Sequence, residues 1–305
     1  MNRVFFFIII IIAFSCTNST NEKVKVDFSD TTSLKSDNIP NEAKPIYIAI
    51  ASMTSPKETF TYYSELINFI SEKAGHPIYI KQKKTYEEVN LLLESSEIDF
   101  AFICSGAFVD EFKSGKIKLL AAPEIDNKCT YHAYIITQKN NNIHSFKDFE
   151  NKSFAFTDPL SNTGRLYPLM ELSRTNKSEA EFFKKTIYTY GHDISIQMVN
   201  RGLIDGASVH GLIYEYLAIN NPEKVANLKI IKRSEKFGIP PIVTPASLSQ
   251  EKVDKYREIF LNLHHDSIGK SIMDKLNIDR FVVVGDTLYN NVFQLKKYID
   301  DEFGN

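Results

Sequence analysis

Short, strongly apolar segments that alternate with helical patterns constrain this chain more than any other feature. Residues 46–51 read as a compact apolar strand, followed by Ser52-Met53-Thr54-Ser55-Pro56 and an amphipathic helix to residue 73. Gly75-His76-Pro77 turns the chain into a strand at 78–81, and a helix follows over 86–94. A buried strand is expected at 99–103, and the pattern repeats at 154–156, 187–190 and 207–209, each time followed by helix. Strand–helix alternation at this pace predicts an α/β fold with mainly parallel sheets.

Ligands of such sheets sit beyond the carboxyl ends of the strands. Polar residues collect there: Ser52 and Thr54 after the first strand, Ser105-Gly106 after 99–103, and His192 after 187–190. The densest group is Ser161-Asn162-Thr163-Gly164, reached from the strand at 153–156 through Thr157-Asp158-Pro159-Leu160. A helix start leaves its first N–H groups without intrahelical partners and carries a partial positive charge, so it can seat an anion. Ser, Asn and Thr also favour helix starts for local reasons, so an ordinary N-cap remains the competing reading. Four polar strand ends together describe a polar cleft.

The amino terminus supplies an address. Arg3 precedes an apolar run that ends Ala13-Phe14-Ser15-Cys16, the layout of a secretory signal, and the run is too short for a comfortable membrane span of about twenty residues. With its terminal Cys16 it resembles a bacterial lipoprotein lipobox, which implies that Cys16 is acylated and becomes the mature amino terminus. An uncleaved anchor is the alternative, and both tether the protein outside the cytoplasm. Residues 17–44 are polar with few large apolar side chains and read as a flexible stalk. The remaining 260 or so residues are enough for two modest lobes or one large domain. With 36 basic against 38 acidic residues, a net charge of −2 and scattered lysines, no nucleic-acid partner is expected. Cys104 and Cys129 are either a disulfide in an exported protein or two packed thiols.

Several segments, in order, resemble the phosphonate- and phosphite-type substrate-binding proteins of bacterial ABC importers. They are Asp99-Phe100-Ala101-Phe102-Ile103, then Asp158-Pro159-Leu160-Ser161-Asn162-Thr163-Gly164, then Gly191-His192-Asp193. Val199, Gly202 and Asp205 follow at the family's spacing, and Pro240-Pro241-Ile242-Val243 resembles its return segment. The resemblance covers roughly residues 45–281. It implies the type 2 periplasmic-binding fold, α/β with two lobes and two hinge crossovers. Lobe one would be 45–133 plus 237–305, and lobe two 134–236. It also implies an oxyanion held by Ser161, Asn162, Thr163 and Gly164, by His192, and by Tyr86; Ser52 and Ser105 join them as strand-end residues.

The departures matter. Asn162 stands where the family commonly has Thr or Ser. Leu212 and Pro240 stand near positions where aminoalkylphosphonate binders of the family carry acids, although His210, Tyr214 and Glu215 are close by. The expected ligand is therefore phosphate, phosphite or a simple organophosphonate, because an unpaired buried ammonium is costly, with sulfonates and larger anions left open. Arg165 is expected to be structural or solvated. The implied function is an extracytoplasmic, lipid-anchored, monomeric binding protein that serves an ABC permease, without cofactor or metal; His264-His265 lacks further ligands at metal spacing. Two other readings use the same fold: a sensing lipoprotein, and an enzyme with Cys104 as nucleophile.

Overall fold

The structure is a computed structural model that describes residues 32–34 and 44–304. The segment read as a signal sequence, Cys16 and most of the segment read as a stalk lie outside the described residues. Among the described residues no helix is long and apolar enough to cross a membrane.

Two large sheets carry the chain. The first has seven strands in the order β1 (Thr32–Leu34), β3 (Ile78–Ile80), β2 (Ile46–Ile50), β4 (Phe100–Phe102), β13 (Ile242–Pro245), β5 (Ile117–Glu124) and β14 (Arg280–Val282). The second has five: β11 (Leu228–Arg233), β7 (Ala133–Gln138), β10 (Gly206–His210), β8 (Ser153–Phe156) and β9 (Lys185–Tyr188). A two-stranded pair, β6 (Thr130–Tyr131) with β12 (Phe237–Gly238), lies where the chain passes between them. Within the segment read as a stalk, Thr32–Leu34 pairs antiparallel with β3.

Among the described residues ten α-helices flank the sheets: α1 (Pro56–Ala74), α2 (Tyr86–Glu94), α3 (Ser105–Lys113), α4 (Tyr167–Ser173), α5 (Glu179–Phe182), α6 (His192–Asn200), α7 (Gly211–Asn220), α8 (Gln250–Asn262), α9 (Ser267–Lys275) and α10 (Asn290–Phe303). The expectation of mainly parallel sheets is corrected. β2 runs parallel to β3 and β4, and β8 runs parallel to β9 and β10, but β13, β5, β14, β7 and β11 pair antiparallel. The parallel neighbours are those joined through a helix, which returns the chain to the same end of the sheet. β7 and β13 enter directly from the crossing segments, with no helix to reverse them.

Phenylalanine does the packing that other proteins share with tryptophan: the chain has 22 Phe and no Trp. In the second sheet Phe154 stacks on Phe183 with ring centroids 4.9 Å apart, and Phe146 stacks on Phe182 at 5.5 Å. In the first, Phe100 meets Phe260 edge-on at 5.6 Å. Such pairs add about 0.5–1.5 kcal/mol beyond their area burial. These two cores hold the strand ends rigidly. Ile50 pairs with Phe102, and Phe156 pairs with Tyr188, so the loops that follow leave each sheet side by side.

The two sets of strand ends face one another and touch. The His192 N–H donates to the Met53 carbonyl at 2.9 Å, the Ser55 N–H to Asp193 Oδ1 at 2.8 Å, and the Tyr86 N–H to Asp158 Oδ2 at 3.0 Å. At the rim, Lys224 pairs with Glu58 at 3.0 Å and Tyr62 meets Tyr216 edge-on.

Candidate functional site

Helix starts from both sheets converge on this contact. Thr85 begins α2 with a capping box: its side chain accepts from the Glu88 N–H, and the Glu88 carboxylate accepts from the Thr85 N–H. This fixes Tyr86 at the first helical position, where it is 1% exposed. Cys104 precedes α3, Gly191 precedes α6 and His210 precedes α7.

The fifth start differs. Ser161 caps a π-helical turn, Asn162–Leu166, that leads into α4; its Oγ accepts from the Gly164 N–H at 3.0 Å. Widened turns of this kind concentrate at functional sites. Here the turn holds Asn162 and Thr163 fully buried. Two glycines permit the approach. A Cβ on Gly164 would lie 2.4 Å from Thr157 Oγ1, and one on Gly106 would lie 2.2 Å from the Leu160 carbonyl and 2.7 Å from the Asn162 nitrogen. The start of α3 therefore presses directly on the Ser161 loop from the opposite sheet.

Tyr190 takes a left-handed conformation (φ 57°), uncommon for a residue with a side chain, and the next turn delivers His192 into the contact. His192 Nδ1 lies 3.2 Å from the His210 N–H and 3.0 Å from Thr157 Oγ1. An amide N–H can only donate, so Nδ1 accepts and the ring proton sits on Nε2. Burial, and then the neighbouring His210, holds the imidazole well below its ordinary pKa, so it is neutral. His210 is likewise depressed by burial, to about 3. Its ring stacks on Tyr131 at 4.2 Å. Tyr131 is bonded to Ser105 Oγ at 2.8 Å and accepts from Asn162 Nδ2 at 3.2 Å. Burial raises the pKa of Tyr86 and Tyr131, so both keep their O–H.

Five buried polar atoms in this group have no hydrogen-bond partner: Tyr86 Oη, Asn162 Oδ1, Thr163 Oγ1, His192 Nε2 and His210 Nδ1. Each such atom costs about 1–3 kcal/mol, and native proteins rarely tolerate them without a purpose. Turning the Asn162 amide over lets Oδ1 accept from the Tyr131 hydroxyl and frees the NH2 as a donor. Asp158 is equally buried, but both its oxygens are committed, to the N–H groups of Tyr86 and Leu160.

The residues singled out in the sequence divide accordingly. Tyr86, Ser161, Asn162, Thr163, Gly164 and His192 come together, and Ser105 reaches the group through Tyr131. Ser52 is nearby, but its hydroxyl donates to the Lys83 carbonyl. Arg165 is structural: it pairs with Glu179 at 2.5 Å and lies over the Phe156 ring at 4.4 Å. Cys104 and Cys129 are free thiols, and burial raises the pKa of Cys104, which keeps it protonated. Tyr131 and Thr157 were missed, and His210 was named only as a neighbour of the missing acids. Tyr131 lies on a crossing strand and the other two at strand ends, and that position was the available signal. The ensemble offers neutral, directional donors and helix starts, which suits an oxyanion, and Arg165, the cationic side chain beside Gly164, is tied up elsewhere.

Two lobes closing over such a site define a solute-binding protein. A family model described as "ABC transporter, phosphonate, periplasmic substrate-binding protein" matches residues 48–289, and the chain belongs to that family. It is 22% identical over 254 residues to the phosphonates-binding periplasmic protein of Escherichia coli (strain K12), covering 82% of this chain and 75% of that one. It is 24% identical to a probable ABC-transporter phosphite-binding protein of Prochlorococcus marinus (strain MIT 9301), over 60% of this chain and 65% of the relative. It thus spans just under two thirds of that relative. A crystal structure of a binding-protein component of an ABC phosphonate transporter from Pseudomonas aeruginosa superimposes with a TM-score of 0.80 at 20% identity, covering 86% of this chain and 88% of that one. The Prochlorococcus protein in complex with methylphosphonate gives 0.75 at 18% identity, over 84% and 98%. Periplasmic binding proteins of ABC importers are extracytoplasmic.

The buried histidines set a pH dependence. Their folded pKa values lie below the unfolded value of about 6.5, so the unfolded chain takes up protons that the folded one excludes. Their stabilising effect is complete above about pH 6.5 and is lost as pH falls from there toward 3. Asp158 and Asp193, raised by burial, act oppositely: their contribution is present below about pH 3.8 and lost as pH rises through their folded values. Urea titrations at pH 7.0 and 5.5 should show a loss of about 1 kcal/mol per histidine, and His210→Asn should remove about half of that loss. An unaltered pH difference in the variant would contradict the assignment.

Proposed function

We propose that the protein captures a phosphonate-, phosphite- or phosphate-like oxyanion between its lobes and delivers it unchanged to an ABC permease. The observation that carries this reading is the set of unpartnered buried polar atoms on Tyr86, Asn162, Thr163 and His192. A tetrahedral anion would accept from the Tyr86 and Thr163 hydroxyls, from His192 Nε2–H and from the turned Asn162 amide. Tyr131 holds that amide, and Ser161 and Gly164 shape the turn beneath it. Closure removes water from around these donors, which strengthens each bond. Neutral donors also let the ligand leave when the lobes part, because no buried cation is stranded. The names of the relatives, which mention phosphonates, phosphite and phosphate, support this ligand class. The protonated Cys104 thiol supports binding without a chemical step.

The lobes in this reading are residues 45–133 plus 237–305 and residues 134–236, a division supported by the membership of the two sheets and by the β6–β12 pair between them. Cys16 would be acylated and hold the monomeric protein on a bacterial membrane, with the following segment giving it reach toward the permease.

Two experiments test this. A thermal-shift panel on residues 45–305 should show stabilisation by one or more of phosphate, phosphite and methylphosphonate, worth about 2.7 kcal/mol at a hundredfold excess over Kd. Ser161→Ala with Thr163→Ala should abolish the shift without unfolding the protein, at a cost of about 0.5–2 kcal/mol for the lost Gly164 cap; surviving affinity would sink the proposed seat. Separately, Cys16→Ser should move the protein expressed in a bacterial host from the membrane fraction to the soluble fraction, and unchanged membrane association would refute the lipid anchor.

A further inference from the structure

Helix α1 opens on Ser55-Pro56-Lys57-Glu58, a serine with a glutamate three residues on. That spacing is the capping box, in which the glutamate carboxylate reaches back to the N–H of the capping residue. Two other helix starts with this spacing close it. At α2 the Thr85 N–H donates to Glu88 at 2.9 Å, and at α5 the Ser178 N–H donates to Glu181 at 2.8 Å. At α1 the box is open. Ser55 makes no side-chain cap, and its N–H donates instead to Asp193 Oδ1, at the start of α6 beside the second sheet. Glu58 faces the same way and pairs at 3.0 Å with Lys224, which also belongs to the second sheet's half. Little of either side chain is exposed, 19% of Glu58 and 23% of Lys224. One turn further along α1, the Tyr62 hydroxyl has no hydrogen-bond partner; burial, and then the neighbouring Glu58 and Asp193, raises its pKa. It is a spare donor beside both carboxylates.

From this geometry we infer that the start of α1 is a capping switch that sets how readily the lobes close. When the lobes part, Glu58 takes the Ser55 N–H and closes its own box. When they meet, Asp193 takes over that N–H and Glu58 moves to Lys224. The inference rests on the reading of two lobes that close over an oxyanion, and it adds a device outside the seat, since none of the exchanged bonds uses a seat donor. A carboxylate near a helix N-terminus is favourable whichever lobe supplies it, so α1 keeps one in both states. Exchanging one cap for another holds the open and closed forms close in free energy. A ligand then moves that balance by its own preference for the closed form.

Two substitutions at one position separate this switch from a static ion pair. Glu58→Gln keeps the box, since glutamine serves there as well, and loses the charge that pairs with Lys224. Glu58→Ala loses both, so its effects on the open and closed forms oppose one another. Calorimetry on the purified protein should find Glu58→Gln about three- to fivefold weaker than wild type for methylphosphonate and for phosphate alike. Lys224→Met, which leaves the box intact, should match it. Glu58→Ala should bind about threefold tighter than Glu58→Gln, because its open form has lost the cap. An alanine variant as weak as the glutamine variant, or weaker, would overturn the switch and leave the seat standing. A wild-type protein that binds neither anion would instead overturn the oxyanion reading. Small-angle X-ray scattering without ligand then decides the switch alone: Glu58→Gln and Lys224→Met should show a larger radius of gyration than Glu58→Ala, and equal radii would overturn it.

Discussion

Polar groups buried without partners at the meeting of two lobes are the constraint on which the rest of this structure depends. Five helix starts and their side chains are brought to one place by two sheets that share no strand. Each buried donor left unmade costs on the order of 1–3 kcal/mol, so the arrangement is tolerable only if the lobes can part or an anion can enter. The phenylalanine-rich cores supply the stiffness that holds such a geometry against relaxation. Gly106 and Gly164 supply the close approach of the α3 start and of Thr157 to the Ser161 turn.

The electrostatic character of the site follows from what is neutral in it. His192 is kept uncharged by burial and by a backbone N–H on Nδ1, the tyrosines keep their protons, and Arg165 is bound to Glu179 outside the cluster. Directional dipoles can recognise a tetrahedral oxyanion closely and release it, whereas a buried cation would make release costly. Asp158 and Asp193 have a different task. Each carboxylate accepts an N–H from the other lobe, Tyr86 in one case and Ser55 in the other, so they report closure rather than ligand.

Much of this was legible in the residues. The helix predicted over 86–94 is α2 as found, and the strands predicted at 46–51, 78–81, 99–103 and 154–156 lie within a residue or two of β2, β3, β4 and β8. Each is an apolar run bounded by turn residues, where local pattern and burial agree. The antiparallel strands were not legible in the same way. β7 and β13 owe their direction to the crossing segments, which is a property of topology and not of any local window. Of the site, Tyr86, Ser161–Gly164 and His192 could be named in advance, since helix starts and the family's segments mark them. Tyr131 could not, because its role comes from stacking on His210 across the crossing strand. Ser52 shows the converse: a polar strand end whose hydroxyl is spent on a neighbouring backbone carbonyl.

The central claim is that a bound oxyanion satisfies the unpartnered donors of Tyr86, Asn162, Thr163 and His192. The most direct measurement is a crystal structure of the protein with methylphosphonate, at a resolution that places the phosphonate oxygens individually. The account predicts those oxygens within about 2.6–3.2 Å of Tyr86 Oη, Thr163 Oγ1 and His192 Nε2, with the Asn162 amide turned to donate. A phosphonate found elsewhere, or one seated here while His192 Nε2 and Thr163 Oγ1 remain without a partner, would contradict it.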